Sequence, residues 1–201
     1  AQIAAMEGGV AAMLTSSGQA ANFFACFNIC QAGDHMITTT SIYGGTYNLF
    51  GVTFHKMGIE ITFIDQDASN EEWAAAFRPN TKLVFGETLS NPNVRILDIE
   101  RIAGIAHQHG VPLIVDNTFP TPINCRPFEF GADIVTHSTT KYMDGHGVQV
   151  GGVIVDSGNF DWEAQHEKFT CLTEPDTSYH GLRYTQAFGK LAYITKATAQ
   201  L

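Results

Sequence analysis

The sequence predicts an α/β fold with a mainly parallel central sheet and helices on both faces. Short apolar runs alternate with helical patterns along all 201 residues. Those runs are continuously apolar, as expected for strands that are covered on both faces. Hydrophobic residues make up 44% of the chain and charged residues 15%, which is the composition of a globular protein with a substantial core.

Each element follows from its local pattern. Residues 2–14 predict a helix, residues 15–18 a turn, and residues 19–31 a second helix that ends at Gly33-Asp34. Leu191 and Ile194 indicate a last helix. Apolar runs predict six strands, at His35–Thr39, Glu60–Ile64, Lys82–Gly86, Pro112–Asp116, Asp133–Thr136 and Gly152–Val155. The segments between them predict helices at 44–56, 70–77, 98–109 and 159–170.

Composition excludes several classes of function. The net charge is −9 and no basic stripe occurs, so nucleic acid is not an expected partner. We find no stretch with the length of a membrane span and no signal peptide, and we expect a cytoplasmic protein. Cys26 and Cys30 are interpreted as packing residues, because no second cysteine pair lies at metal-ligand spacing. His137 and His146 lack suitably spaced acids or thiols, so no metal site is predicted.

Two strand ends carry the residues with the clearest chemical meaning. One strand ends in Asp116, and another runs into hydroxyls and then Lys141. Taken singly, Asp116 could be a cap or an ion-pair partner and Lys141 a surface amine. Together they suit an aldehyde cofactor with a pyridine ring, which needs a lysine for its imine and an acid at its ring nitrogen. Ligands bind beyond the carboxyl ends of parallel strands, so both residues are expected to face one cavity.

Three further motifs are weaker when taken singly. Ser17-Gly18-Gln19 precedes a helix whose free N–H groups suit a phosphate, although helix capping by Ser17 explains the same residues. Tyr43 stands beside two glycines, and it could stack on a flat ring or simply pack in the core. Asn91 could bond a ring hydroxyl or a carboxylate, or begin an Asn-Pro turn.

As a set, these motifs resemble the Cys/Met-metabolism family of enzymes that depend on pyridoxal 5'-phosphate (PLP). The resemblance covers essentially the whole chain and is most specific at Val115–Thr118 and His137–Tyr142. It implies PLP as cofactor and the large domain of the aspartate-aminotransferase-like fold (fold type I). It also implies that Lys141 forms the imine and moves protons, that Asp116 pairs with the ring nitrogen, and that Tyr43 stacks on the ring and assists proton transfer. The remaining implied cofactor contacts are Ser17, Gly18, Gln19, Ser138 and Thr140 around the phosphate, and Asn91 near the ring oxygen and the substrate carboxylate.

Within the family, three stretches are similar to the O-acetylhomoserine sulfhydrylase branch. They are Ser17–Gln19, the glycine-rich stretch Gly145–Gly158, and Pro175–Leu182. This likeness implies that sulfide or methanethiol replaces the acetate of O-acetylhomoserine, giving homocysteine or methionine. The alternatives are a methionine γ-lyase, a cystathionine γ-synthase or γ-lyase, and, in a different class, a catalytically silent PLP-domain fragment.

The resemblance also bears on domain organisation and partners. Both chain ends lie within helical patterns. Residues 1–201 are therefore expected to be a PLP-binding large domain that lacks the family's N-terminal arm and C-terminal small domain. The expected partners are a small amino-acid substrate and further copies of the protein, as a dimer of dimers in the full-length parent.

Overall fold

The computed structural model describes all 201 residues, from Ala1 to Leu201. Its centre is one sheet of seven strands, which are β1 (Ala11–Thr15), β2 (His35–Thr39), β3 (Glu60–Ile64), β4 (Thr81–Glu87), β5 (Leu113–Asp116), β6 (Ile134–Ser138) and β7 (Gly152–Asp156). Their order across the sheet is β1-β7-β6-β5-β4-β2-β3. Neighbours from β3 to β6 pair in parallel, and only β7 runs against both of its neighbours. The predicted mainly parallel α/β fold is confirmed.

Helices cover the sheet between these strands. They are α1 (Gln2–Glu7), α2 (Gly18–Phe27), α3 (Gly44–Asn48), α4 (Asn70–Ala75), α5 (Ile99–Gln108), α6 (Thr121–Asn124), α7 (Thr170–Thr173), α8 (Tyr184–Phe188) and α9 (Ala192–Gln200). A π-helical stretch, Leu49–Phe54, continues α3, and short 3-10 turns lie at Pro127–Phe130, Thr177–Tyr179 and Gly189–Leu191. None of these helices combines the length and apolar character needed to cross a membrane.

The strands are buried on both faces, which explains their continuous apolar sequence. Along β5, Ile114 packs into one hydrophobic cluster, whereas Leu113 and Val115 pack into a second. In β2 the neighbours Met36 and Ile37 divide between the same two clusters. Since successive side chains of a strand point to opposite faces, one cluster lies on each side of the sheet.

The predicted helix over residues 2–14 is wrong beyond Glu7. Gly8 ends α1 in the left-handed conformation (φ 81°), and the chain then forms the edge strand β1. Gly9 passes so close to β7 that a Cβ atom there would lie 2.6 Å from Val155 Cγ1. The Ala-rich segment has helical propensity, but pairing with a strand about 140 residues away overrides it.

The predicted helix over residues 159–170 is also wrong. The segment forms successive turns, and only Thr170–Thr173 is helical. Phe160, Trp162 and Phe169 all contact the same hydrophobic cluster. Residues two apart point to different sides of a helix, so Phe160 and Trp162 reach the common cluster by abandoning helical geometry.

Asp156, the last residue of β7, makes stability depend on pH. The residue is 3% exposed, its Oδ1 accepts the Gly158 N–H at 2.8 Å, and its Oδ2 has no partner. Burial is the main cause that raises the pKa of Asp156 to about 7. A raised pKa means that the folded state holds this proton more tightly than the unfolded state does. The protonated Asp156 therefore contributes to the free energy of unfolding at low pH, and that contribution is lost as pH rises toward 7.

We therefore expect Asp156→Asn to flatten the pH dependence of the free energy of unfolding. The wild-type chain should lose up to about 1.4 kcal/mol per pH unit from this group between about pH 4 and pH 7. Urea unfolding across that range measures the difference, with the exposed Glu167→Gln as control. Parallel pH profiles for wild type and Asp156→Asn would contradict the prediction.

Candidate active site

A cavity of about 290 Å³ opens beyond the carboxyl ends of β4, β5 and β6. This is the edge where open α/β sheets bind ligands. All of the predicted site residues line it, namely Ser17, Gly18, Gln19, Tyr43, Asn91, Asp116, Ser138, Thr140 and Lys141. The structure thus brings together residues that the sequence distributes over more than 120 positions.

Asp116 is held in place through both of its carboxylate oxygens. Asn22, on α2, donates to Oδ2 at 3.0 Å, while Thr118 donates to Oδ1 from its hydroxyl at 2.5 Å and its backbone N–H at 3.0 Å. Asn22 is itself oriented by Thr136, whose hydroxyl donates to Asn22 Oδ1 at 2.6 Å. The carboxylate therefore keeps a fixed direction in the cavity.

The start of α2 forms the opposite part of the cavity. Ser17 is the N-cap, and its side chain accepts the Ala20 N–H at 3.0 Å. The first N–H groups of a helix have no intrahelical acceptor and favour an anion. Gly18 lies against β6 so closely that a Cβ atom would fall 2.4 Å from Ser138 Cβ. The cradle therefore requires glycine at this position.

We expect Gly18→Ala to force α2 away from β6 and to widen this cradle. The atoms that would clash are Ser138 Cα and Cβ, which have no flexible side-chain end to move aside. Overpacking of this kind costs about 1–3 kcal/mol. Thermal unfolding and PLP titration measure the effect. Gly104→Ala is the matched control, because a Cβ atom at Gly104, inside α5, meets nothing within 4 Å. Equal effects of the two substitutions would refute the expectation.

Lys141 lies three residues past β6 and is exposed. Lys141 lines the cavity from this exposed position. Thr140 lines the cavity, but its hydroxyl already donates to the Gly151 carbonyl at 3.2 Å and accepts the Gly151 N–H at 3.1 Å. To donate a hydrogen bond to a phosphate, the Thr140 hydroxyl would have to give up its bond to the Gly151 carbonyl.

Tyr43 and Asn91 enter the cavity from two loops. Tyr43 precedes α3 and is 52% exposed, so its ring face is open to a ligand. A Cβ atom at Gly45 would lie 2.5 Å from Tyr43 Cε1, so glycine makes room for the ring.

Glu87 also lines the cavity and was not predicted from the sequence. It ends β4 in register with Asp116. Burial, followed by the Asp116 charge, raises the pKa of Glu87 to about 8.

The remaining cavity residues were also missed from the sequence. They are Asn22, Leu89, Thr118 and Phe119. Asn22 gives no local signal because its partner Asp116 lies 94 residues away. Glu87, by contrast, does have a local sequence signal, because it ends a buried strand in the same way as Asp116. No group of three or more His, Cys, Asp or Glu side chains is arranged to hold a metal ion.

The residues present fit PLP on two structural grounds. An acid and a primary amine, Asp116 and Lys141, line one cavity. In the same cavity, the start of α2 is packed so that only glycine fits at residue 18. These are the donors that a pyridine ring, an aldehyde and a phosphate require.

Solved structures share this fold over nearly the whole chain. A putative O-acetylhomoserine (thiol)-lyase from Campylobacter jejuni superposes with a TM-score of 0.93 at 35% identity, covering 98% of this chain and 48% of that one. That structure carries N'-pyridoxyl-lysine-5'-monophosphate. The O-acetylhomoserine sulfhydrylase of Wolinella succinogenes superposes with a TM-score of 0.85 at 31% identity, covering 99% of this chain and 53% of that one.

Curated relatives match equally fully. The homocysteine/cysteine synthase of Saccharomyces cerevisiae is 47% identical over 201 residues, which is 100% of this chain and 45% of the relative. The O-acetyl-L-homoserine sulfhydrylase of Leptospira meyeri is 45% identical over 207 aligned residues, 99% of this chain and 46% of the relative. The chain thus spans less than half the length of these relatives.

Fold and site together define the class: an α/β chain with the aspartate-aminotransferase-like architecture of PLP-dependent enzymes and a cavity whose residues fit PLP. The family model described as Cys/Met metabolism PLP-dependent enzyme matches residues 1–191. The chain belongs to the Cys/Met-metabolism family of PLP-dependent enzymes.

Proposed function

We propose that this chain binds PLP in the 290 Å³ cavity and serves γ-replacement on O-acetylhomoserine. In this reaction sulfide or methanethiol takes the place of acetate, and homocysteine or methionine is formed. The observation that carries the proposal is the placement of Asp116 and Lys141 in one cavity with the glycine cradle of α2. The names of the yeast and Leptospira relatives support this substrate class.

PLP, when bound, supplies a carbonyl carbon for an amine and a protonated ring that withdraws electrons from the substrate. Lys141 would hold the cofactor covalently and then move protons at Cα and Cβ of the amino acid. Asp116, fixed by Asn22 and Thr118, would accept the hydrogen bond of the ring nitrogen. Tyr43 would stack on the ring face and assist proton transfer.

The other cavity residues would bind and orient. Gly18 and Gln19 would donate backbone N–H groups to the phosphate, beside the side chains of Ser17, Ser138 and Thr140. Gln19 donates its side-chain amide to the Gly45 carbonyl at 3.0 Å, which ties this cradle to the loop of Tyr43. Asn91 would lie near the ring oxygen and the substrate carboxylate. Acetate leaves from Cγ in both replacement and elimination, so the outcome depends on whether sulfide is held close enough to add at Cγ.

We also propose a domain assignment, an oligomeric state and a cellular compartment for the chain. Residues 1–201 would be the PLP-binding large domain of a homo-oligomeric protein, a dimer of dimers. Four free cysteines, Cys26, Cys30, Cys125 and Cys171, support a reducing compartment such as the cytoplasm.

Product analysis tests the proposed reaction. The chain is loaded with PLP and incubated with O-acetylhomoserine in the presence and absence of sulfide. We expect homocysteine and acetate in equal amounts, and only when sulfide is present. Release of 2-oxobutanoate and ammonia without sulfide would indicate a γ-lyase instead. A PLP-loaded chain that yields neither product would favour the silent-domain alternative.

A further inference from the structure

We propose that Glu87 is a positioning residue, a carboxyl clamp that fixes the loops of Tyr43 and Asn91 at the cofactor cavity. The proposal deepens the proposed function and rests on it. Glu87 closes β4 and lines the cavity, yet only 5% of it is exposed. It forms no ion pair with any Lys, Arg or His within 4.0 Å, so charge neutralisation does not explain a carboxylate at this position.

The two oxygens of Glu87 serve two different loops. Oε1 accepts the backbone N–H of Tyr43 at 2.7 Å. Oε2 accepts the backbone N–H of Asn91 at 3.0 Å. Tyr43 lies 44 residues before Glu87 in the chain, while Asn91 lies four residues after it. One side chain therefore joins two loops that each deliver a cavity-lining residue.

The chemistry of the clamp requires two acceptor oxygens, which a carboxyl group supplies. Only a group with two acceptor oxygens can take both N–H donors, whereas a glutamine side chain offers one acceptor and one donor. Burial and then the neighbouring Asp116 charge raise the pKa of Glu87, whereas the hydrogen bonds from the Tyr43 and Asn91 N–H groups lower it. A buried group with a shifted pKa that lines a cavity is a candidate for a functional role. Glu87 therefore acts locally, by stabilising the positions of the Tyr43 ring and the Asn91 amide.

Amide hydrogen exchange tests the clamp without cofactor. In Glu87→Gln, one of the two amides of Tyr43 and Asn91 should keep its protection, and the other should exchange roughly tenfold faster or more. In Glu87→Ala both should exchange faster. Glu100→Gln, an exposed site on α5, is the control and should change neither. Unchanged protection of both amides in Glu87→Gln would overturn the proposal, and this variant keeps the side-chain volume should Glu87→Ala fail to fold.

A double-mutant cycle tests whether the clamp acts through its two loops. Glu87→Gln should weaken PLP binding about tenfold in the wild-type background. It should have little further effect in the Tyr43→Ala, Asn91→Ala background, because the positioned side chains are then absent. Additive losses of affinity would mean that Glu87 acts independently of these side chains and would overturn the positioning role. If the wild-type chain binds no PLP, the proposed function fails, and the exchange measurement still decides on the clamp.

Discussion

Lys141→Ala is expected to abolish covalent fixation of PLP to the chain. The wild-type chain with PLP should develop a visible absorption band, and borohydride should then fix the cofactor to residue 141. Lys141 is the lysine that lines the cavity together with Asp116. Because alanine carries no amine, both the band and the fixed adduct should fall below detection. Absorbance spectra and peptide mass mapping after reduction measure the two effects.

The matched control for this experiment is Lys56→Ala. Lys56 is exposed and forms no side-chain hydrogen bond or ion pair, so its loss should leave band and adduct unchanged. The decisive adverse outcome is a band of normal intensity in Lys141→Ala with the cofactor fixed elsewhere. A different lysine would then be the attachment site, and the assignment of the cavity would be wrong.

The sequence was sufficient where a residue's neighbours determine its position. Asp116 ends an apolar run, and the carboxyl ends of neighbouring parallel strands meet at one edge of a sheet. The edge could therefore be predicted from the strand pattern alone. The strand β1 could not, because Ala11–Thr15 has no strand signal of its own and pairs with β7 only in the folded state.

Residues whose partners are distant in sequence could not be assigned a role from the sequence either. Thr118 lies in a stretch that carries the family resemblance, but the sequence assigns it no role, whereas in the structure its hydroxyl donates to Asp116 and accepts the Ser138 N–H at 2.8 Å. It thus joins the ends of β5 and β6. Exposure is also decided by tertiary structure, and the polar turn before Lys141 does not by itself show that this residue is exposed.

A buried polar cluster lies next to this edge of the sheet and was not foreseen. Glu7, His137 and Asn117 are 1%, 0% and 0% exposed. Glu7 Oε1 accepts from His137 Nε2 at 2.5 Å and from Asn117 Nδ2 at 3.1 Å. Asn117 follows Asp116 in the chain, and His137 precedes Ser138. The cluster therefore ties α1 to the two strand ends that carry cavity residues.

Glu7→Ala is expected to destabilise the chain strongly. It leaves the His137 and Asn117 donors buried without their shared acceptor, and it removes buried volume. A buried donor left without its acceptor costs about 1–3 kcal/mol, and two donors are affected here, so the loss is a large fraction of the stability of an ordinary domain. Urea unfolding measures the loss. Glu71→Ala, at an exposed position, is the control and should cost far less. A loss below about 1 kcal/mol for Glu7→Ala would show that the cluster carries little stability.

The double variant Glu7→Leu, His137→Phe separates two contributions to the free energy of unfolding. One is the cost of leaving a buried polar group without its partner, and the other is the stabilisation that the intact pair provides. Apolar groups of similar shape that replace both members of a buried hydrogen-bonded pair can be nearly neutral or stabilising. We therefore expect the double variant to be more stable than either single variant, although Asn117 still loses its acceptor. If instead the losses of the two single variants add, the two residues contribute independently. In that case the cluster does not act as one unit behind Asp116 and Ser138.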